Sequence, residues 1–227
     1  MAASRTSVLA LGGVLLVIGL GMLVSIDASD GFDRALIEAI RDPDVTNLLA
    51  FLGPLTELGS TGAVTIVAFL TFAVGGAVGP WRHGLIGAVT IGAAALGVEG
   101  VKALIARARP ELLEPVIEEL GFSFPSGHAT LSMVAYGVLA VLITRSRLPG
   151  WVETLVVIGL GVLVVLIGVS RIWLGVHYPT DVLAGWTAGW VIVLAYAAVT
   201  REVSREPAEG AADEDPAARR SDRPAAG

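Results

Sequence analysis

TLVVIGLGVLVVLIGVS, residues 154–170, decides the fold class, because this uninterrupted apolar run contains no charged residue. A helix needs about 20 mostly apolar residues to cross the hydrocarbon core of a bilayer. Similar uncharged runs of 16 to 19 residues occupy 8–26, 61–78, 129–144 and 182–200. A sixth run, 85–105, carries Glu99 and Lys102 near its end, where long side chains can reach the membrane interface. The sequence therefore predicts an all-α integral membrane bundle of six transmembrane helices.

The composition supports a membrane protein and excludes several other classes. Of the 227 residues, 54% are hydrophobic and only 16% are charged, whereas soluble domains carry about 25% charged residues. The absence of cysteine excludes disulfide frameworks, thiolate metal sites and cysteine nucleophiles. A formal net charge of −6 argues against a nucleic-acid-binding protein, which needs a basic surface to neutralise phosphates.

The chain divides into a membrane domain and a tail. We expect residues 1–200 to form the six-span domain, and the first run to be an uncleaved anchor rather than a signal peptide. Apolar residues recur at helical spacing within 27–60, which predicts two short helices at the membrane surface, with a packed loop as the alternative. Residues 201–227 are rich in Pro, Ala, Gly and charge and cannot bury a core, so we expect a disordered cytoplasmic tail.

Three groups of polar residues interrupt the apolar background. They are Lys102 with Arg109-Pro110, then Pro125-Ser126-Gly127-His128, and finally Ser170-Arg171 with His177 and Asp181. No predicted span separates the first group from the second, and two spans separate the second from the third. Because an even number of crossings returns the chain to the same face, all three groups are predicted on one membrane surface.

The residue types of these groups suit an anion with two or more negative charges. Lys102, Arg109 and Arg171 supply three cations, and the planar guanidinium groups match phosphate oxygens. Ser126 and Gly127 begin a helix whose free N–H groups attract anions. The sequence therefore predicts a phosphate pocket.

Two histidines supply a chemistry for that pocket. Asp181 lies four residues after His177, and a carboxylate bonded to one ring nitrogen leaves the other free to attack. His128, at the start of another helix, is placed to protonate a leaving oxygen. Since phosphoryl transfer depends mostly on positioning and charge stabilisation, these residues indicate a phosphohydrolase with a histidine nucleophile.

These three motifs, in this order and spacing, resemble the signature of the type 2 phosphatidic acid phosphatase family, which vanadium-dependent haloperoxidases share. The resemblance covers 102–181 and, through the six-span layout, most of the chain. It implies a metal-free and cofactor-free hydrolysis, with a phosphohistidine on His177 oriented by Asp181, and with His128 as general acid and then base. It also implies that the phosphate is held by Lys102, Arg109, Ser126, Gly127 and Arg171.

The orientation in the membrane depends on the basic residues that flank the spans. Counted without regard to function, they are evenly divided between the two sides. When Lys102, Arg109 and Arg171 are set aside as site residues, the side that carries the N-terminus holds the excess. Together with the resemblance, this predicts an active site facing the periplasm or the cell exterior.

Other polar residues receive simpler interpretations. Arg107 is expected to contact solvent or a lipid headgroup, and Glu99, three residues before Lys102, to form an ion pair with it. Trp173 and Tyr178 are expected in an interfacial aromatic belt, and His83 is expected to have no functional role. The carboxylates of the polar loop are expected to form a solvated face rather than a metal site; they are Glu111, Glu114, Glu118 and Glu119.

The predicted function is that of an integral-membrane lipid phosphatase acting on a membrane lipid such as a polyprenyl diphosphate, phosphatidylglycerol phosphate or phosphatidic acid. A phosphotransferase that passes the phosphoryl group to a lipid or sugar hydroxyl would use the same residues and remains open. A non-catalytic phospholipid-binding protein is the weaker alternative, because no residue of the signature is lost. The sequence does not determine the preferred lipid, the preference between a monophosphate and a diphosphate, or the oligomeric state.

Overall fold

The computed structural model describes residues 2–40, 46–78, 80–110 and 119–203. Within these ranges the chain forms eight α-helices and no strand. Their bounds are α1 Ala2–Ser25, α2 Asp30–Ile40, α3 Thr46–Glu57, α4 Thr61–Val78, α5 Trp81–Ile105, α6 Gly127–Ile143, α7 Gly150–Trp173 and α8 Pro179–Val203. The predicted all-α fold is confirmed for the described part of the chain.

Four of these helices are long and apolar enough to cross a bilayer. The qualifying segments are Arg5–Ser25, Trp81–Ile105, Gly150–Trp173 and Pro179–Val203. The apolar segments of α4 and α6 are shorter, at Thr61–Ala77 and Gly127–Ile143. At about 1.5 Å per residue, α6 is about 26 Å long and does not span a hydrocarbon core of about 30 Å by itself. A multi-pass membrane protein is thus established, while the count of six spans is not confirmed by length.

The burial of α6 explains how it can be short. This helix packs against α4, α5, α7 and α8. Its Val134, Ala135 and Val138 are completely buried and share one core cluster with Ile167 of α7. Because α6 meets protein on most sides, the thickness of the hydrocarbon constrains its length less than it constrains the helices that face lipid.

The outer helices present apolar side chains to their surroundings. Leu11 and Leu15 of α1 and Leu155 and Val162 of α7 are all more than half exposed. In water such a surface would be unfavourable by about 25 cal/mol for each Å² of apolar area, whereas lipid tails accept it. These surfaces are therefore the lipid-facing sides of the bundle.

Two short helices cover one end of the bundle. The predicted helices within 27–60 are confirmed as α2 and α3, although residues 41–45 between them lie outside the described residues. α2 contacts α7 and α8, and α3 contacts α7. They therefore pack on the bundle. At the other terminus α8 extends to Val203, and the rest of the predicted tail lies outside the described residues.

Candidate active site

The structure brings the three predicted groups of site residues together at the end of the bundle that α2 and α3 cover. Lys102 lies in the last turn of α5, and Gly127 is the first residue of α6. The ammonium group of Lys102 is 3.6 Å from the position that a Cβ on Gly127 would take. Nη1 of Arg109 is 3.4 Å from Nε2 of His177. Residues from four helix ends thus form one cluster.

The end of α5 directs the chain into this cluster. Ala106 adopts a left-handed conformation, with φ 52°, and its N–H donates to the carbonyl of Lys102 at 2.8 Å. This conformation closes the helix and turns the following residues across the end of the bundle. The N–H of Ser123 then donates to the carbonyl of Arg107 at 2.9 Å, which ties the segment before α6 to the segment after α5.

The start of α6 is fixed by a buried cap. Ser126 is the N-cap residue, and its hydroxyl accepts from the N–H of Ala129 at 3.5 Å. Its own N–H donates to the carbonyl of Asp181 at 3.0 Å, which joins the starts of α6 and α8. The hydroxyl of Ser126 caps its own helix. The groups of this motif that can bind an anion are therefore the free N–H groups of the first turn.

The end of α7 positions Arg171 and His177 relative to each other. Gly175 has φ 75°, its N–H donates to the carbonyl of Ile172 at 3.0 Å, and the N–H of Val176 donates to that of Arg171 at 3.3 Å. This is a Schellman motif, which needs glycine at the left-handed position. It reverses the chain so that His177 returns toward the bundle, and the carbonyl of Val176 accepts from Nη1 of Arg109 at 2.9 Å.

His177 is enclosed and its two ring nitrogens have different neighbours. The residue is 1% exposed. Nδ1 lies 3.5 Å from Oδ2 of Asp181, while Nε2 faces Arg109. Burial lowers the pKa of His177 more than the neighbouring Asp181 raises it, and the charges of Arg171 and Arg109 add to the lowering. The imidazole is therefore neutral at neutral pH, and a proton on Nδ1, facing Asp181, leaves the Nε2 lone pair free.

His128 lies in the first turn of α6. A Cβ added to Gly59 would be 3.2 Å from Cδ2 of His128, so the turn between α3 and α4 covers the ring. The imidazole is within electrostatic range of Arg171, His177 and Lys102. Both predicted catalytic histidines thus belong to the same cluster.

Glu119 corrects an expectation, because it lies in the cluster and not on a solvated face. Its Oε2 accepts from Nη1 of Arg109 at 3.2 Å and from Nη2 of Arg171 in a still closer contact. Although burial opposes ionisation, these guanidinium groups and His177 lower the pKa of Glu119. An ionised carboxylate therefore bridges the two arginines that are predicted to bind phosphate. The other three carboxylates of that loop lie outside the described residues.

Arg107 and Tyr178 also differ from expectation. Arg107 is 9% exposed, and its guanidinium group donates to Asp181 and to Asp33 of α2 instead of contacting lipid. The ring of Tyr178 lies under it at 3.9 Å, so this aromatic residue serves the site rather than an interfacial belt. Sequence reasoning missed Asp33; an acid four residues before Ile37, on the apolar face of α2, was the available signal.

Two further contacts complete the cluster. The predicted ion pair between Lys102 and Glu99 is confirmed, with 3.3 Å between Nζ and Oε1. Nη1 of Arg171 donates to the hydroxyl of Thr56 at 3.1 Å, so α3 helps to fix this guanidinium group. His83 lies at the opposite end of α5, far from these residues.

The arrangement matches a known family. The model of the PAP2 superfamily matches residues 83–205, which is more than half of the chain and includes every residue of the three motifs. The chain belongs to the PAP2 superfamily. The family resemblance noted in the sequence is thereby confirmed.

Relatives within the PAP2 superfamily are membrane phosphatases. Phosphatidylglycerophosphatase B of Bacillus subtilis is 29% identical over 181 residues, which cover 76% of this chain and 85% of that protein. An undecaprenyl-diphosphatase of Sulfolobus acidocaldarius is 38% identical over 84 residues, which cover 37% of this chain and 35% of that protein. The crystal structure of a transmembrane PAP2-type phosphatidylglycerolphosphate phosphatase from Bacillus subtilis superposes with a TM-score of 0.74 and 28% identity, covering 86% of this chain and 96% of that one. The prediction of a membrane lipid phosphatase is confirmed at the level of enzyme class.

Proposed function

We propose that this PAP2 protein removes a phosphate group from a phosphorylated membrane lipid through a phosphohistidine on His177. The observation that carries the proposal is the unequal environment of the His177 ring, with Asp181 at Nδ1 and the cation Arg109 at Nε2. A nucleophilic nitrogen next to fixed cations is what attack on a phosphate requires.

In the first step the Nε2 lone pair of His177 forms a bond to phosphorus as the bond from phosphorus to the lipid oxygen breaks. The leaving oxygen takes a proton from His128. In the second step a water molecule gives its proton to His128 and attacks phosphorus, and the N–P bond breaks with its electron pair returning to Nε2. Inorganic phosphate is released and both histidines regain their starting state.

The cations are assigned to the phosphate oxygens. Lys102, Arg109 and Arg171 surround the two histidines, and the N–H groups at Gly127 add the positive end of α6. The incoming dianion partly neutralises these charges, which favours the protonated His128 that the first step needs. Glu119 must leave the two arginines when the phosphate arrives, because both anions use the same guanidinium groups.

A cavity of about 400 Å³ among the helices that lead to the site suits the apolar part of the substrate. It lies between α4, α5 and α6, and its lining is mostly apolar, with Phe69 of α4, Ile91 of α5 and Leu131 of α6 among the lining residues. Leu131 is one turn from His128, so a lipid tail in this cavity would leave its headgroup at the cluster. The names of the relatives suggest phosphatidylglycerol phosphate and polyprenyl diphosphates as the first substrates to test.

We also assign six crossings to the chain, with the site on the outer side. α5 and α7 both end at the site, so α6, which starts there, must carry the chain back to the opposite end before α7 begins. The same argument requires α4 to cross between the covering helices and α5. The excess of basic residues on the other side supports an outward-facing site.

The proposal is tested by phosphate release from purified protein in detergent, with phosphatidylglycerol phosphate, polyprenyl diphosphate and phosphatidic acid as substrates. We expect turnover of at least one lipid, unchanged by a chelator, and a loss of at least about a thousandfold in His177→Ala. His83→Ala, which changes a histidine at the opposite end of α5, should retain activity. Wild-type-like turnover in folded His177→Ala protein would remove the phosphohistidine, and no release from any lipid would remove the function.

A further inference from the structure

Arg107 connects α2 to the residues that orient the nucleophile. Its Nη1 donates to Oδ1 of Asp181 at 2.7 Å, and its Nη2 donates to Oδ2 of Asp33 at 2.8 Å. Both carboxylates are completely buried. A single guanidinium group therefore bridges two buried anions from helices that are far apart in the sequence.

The bridge fixes the orientation of the Asp181 carboxylate. Oδ1 is occupied by Arg107, while Oδ2 accepts from the N–H of Tyr178 at 2.9 Å and faces Nδ1 of His177. With one oxygen held on each side, the carboxylate cannot rotate its second oxygen away from the imidazole. The orientation of the His177 ring thus depends on a contact outside the signature residues.

Asp33 holds the bridge and the start of α8 together. Its Oδ1 accepts from the N–H of Thr180 at 3.0 Å, and its Oδ2 accepts from the Thr180 hydroxyl at 2.6 Å. The Thr180 hydroxyl also accepts from Nη1 of Arg107 at 2.9 Å. Nη2 of Arg107 also donates to the hydroxyl of Ser29 at 3.2 Å and to Oδ1 of Asp30 at 3.1 Å. A buried guanidinium group with this many partners has little freedom to move.

We propose that Arg107 and Asp33 are positioning residues, which act through Asp181 to hold His177 in its attacking orientation. The proposal rests on the function assigned above, because His177 is the group whose reactivity it concerns. Neither residue touches the phosphate pocket directly. Asp33, Arg107 and Asp181 alternate in charge, so each of these ions favours the ionised state of the next.

The charged and titratable groups around this series come from every element that packs on it. α2 contributes Asp30, Asp33 and Arg34, and the connection between α7 and α8 contributes His177 and Tyr178. Beyond His177 stand the guanidinium groups of Arg109 and Arg171 and the carboxylate of Glu119. Asp181 and Arg107 lie at the centre of these groups, so removing one charge changes the proton affinity of the His177–Asp181 pair as a unit.

The pH profile of kcat distinguishes positioning by charge from a purely structural role. Because burial and neighbouring cations lower the pKa of His177, the acid limb of the wild-type profile should lie below pH 6.5. Arg107→Met removes a buried cation, so the limb should move to higher pH, and kcat should fall by about a hundredfold. Asp33→Asn removes a buried anion at nearly constant shape, so the limb should move to lower pH.

The double variant Asp33→Asn with Arg107→Met removes both charges and should return the acid limb toward the wild-type position, with part of kcat recovered. Arg145→Met is the matched control, because Arg145 is a partly buried cation bonded to Thr200 at the opposite end of the bundle. It should leave the limb in place. The inhibition constant of inorganic phosphate should stay within about threefold of the wild type in all variants.

The outcomes separate this proposal from the proposed function. Opposite shifts in the two single variants, with compensation in the double, support positioning through charge. Unshifted limbs in folded variants, or a kcat of Arg107→Met equal to that of Arg145→Met, overturn it. If Arg107→Met does not fold, the shift of Asp33→Asn alone decides. Activity in His177→Ala would refute the proposed function whatever the Arg107 and Asp33 variants show.

Discussion

Glu119 balances the charges of two cations in the site. Its carboxylate lies between Arg109 and Arg171, where it supplies one negative charge to two guanidinium groups. A bidentate phosphate dianion offers the same guanidinium groups more charge and more acceptor oxygens. The carboxylate therefore keeps the cations compensated and ordered, and under the proposed function a phosphate replaces it.

Removing this charge should make phosphate binding easier. In Glu119→Gln the amide competes weakly for the two arginines, so the inhibition constant of inorganic phosphate should fall by about three- to tenfold. Glu99→Gln is the control, since Glu99 pairs with Lys102 while 72% exposed, and water already screens that pair. Phosphate inhibition of turnover in detergent measures both. Weaker phosphate binding in Glu119→Gln would show that the carboxylate belongs to the phosphate site and does not compete with it.

At the scale of helices, the sequence predicted what depends on local spacing and on crossing parity. The placement of Lys102, His128 and Asp181 at one common end of the bundle followed from counting apolar runs, and the Glu99–Lys102 pair followed from helical spacing. The contact between Arg107 and Asp33 could not be found in this way, because it joins residues 74 positions apart through tertiary packing. The short length of α6 also depends on tertiary burial, which an apolar run does not reveal.

The close contact of α4 and α5 is a second feature that sequence alone did not specify. A Cβ on Gly75 would lie 2.3 Å from Cα of Gly84, so these two helices touch backbone to backbone. Small residues permit such an approach between membrane helices. The adjacent Gly76 faces open space, with no atom within 4 Å of its Cβ position.

Alanine at these two glycines should therefore have opposite consequences. Gly75→Ala forces α4 and α5 apart and should lower the free energy of unfolding by about 1–3 kcal/mol. It should also reduce activity, because α5 carries Lys102. Gly76→Ala adds a methyl group without a clash and should be neutral or slightly stabilising. Thermal unfolding in detergent compares the pair. Equal stability of the two variants would mean that the helices are not in backbone contact.

At the scale of the whole molecule, the position of the site fixes the path of the chain. Residues from the ends of α5 and α7 and from the starts of α6 and α8 meet in one cluster, so these helices alternate in direction. This alternation supports the proposal that the short α6 crosses the bilayer as its longer neighbours do. To complete the topology, each end of the bundle must be related to one side of the membrane.

The absence of cysteine makes that relation measurable with single introduced thiols. Gly31 on α2 lies at the site end, and Gly150 begins α7 at the opposite end; both are exposed and have no atom within 4 Å of the Cβ position. With an outward-facing site, an impermeant maleimide should label Gly31→Cys in intact spheroplasts and Gly150→Cys only after permeabilisation, because the reagent cannot cross the hydrocarbon core. The reverse pattern would place the site inside, and labelling of both in intact spheroplasts would contradict a single orientation with alternating crossings.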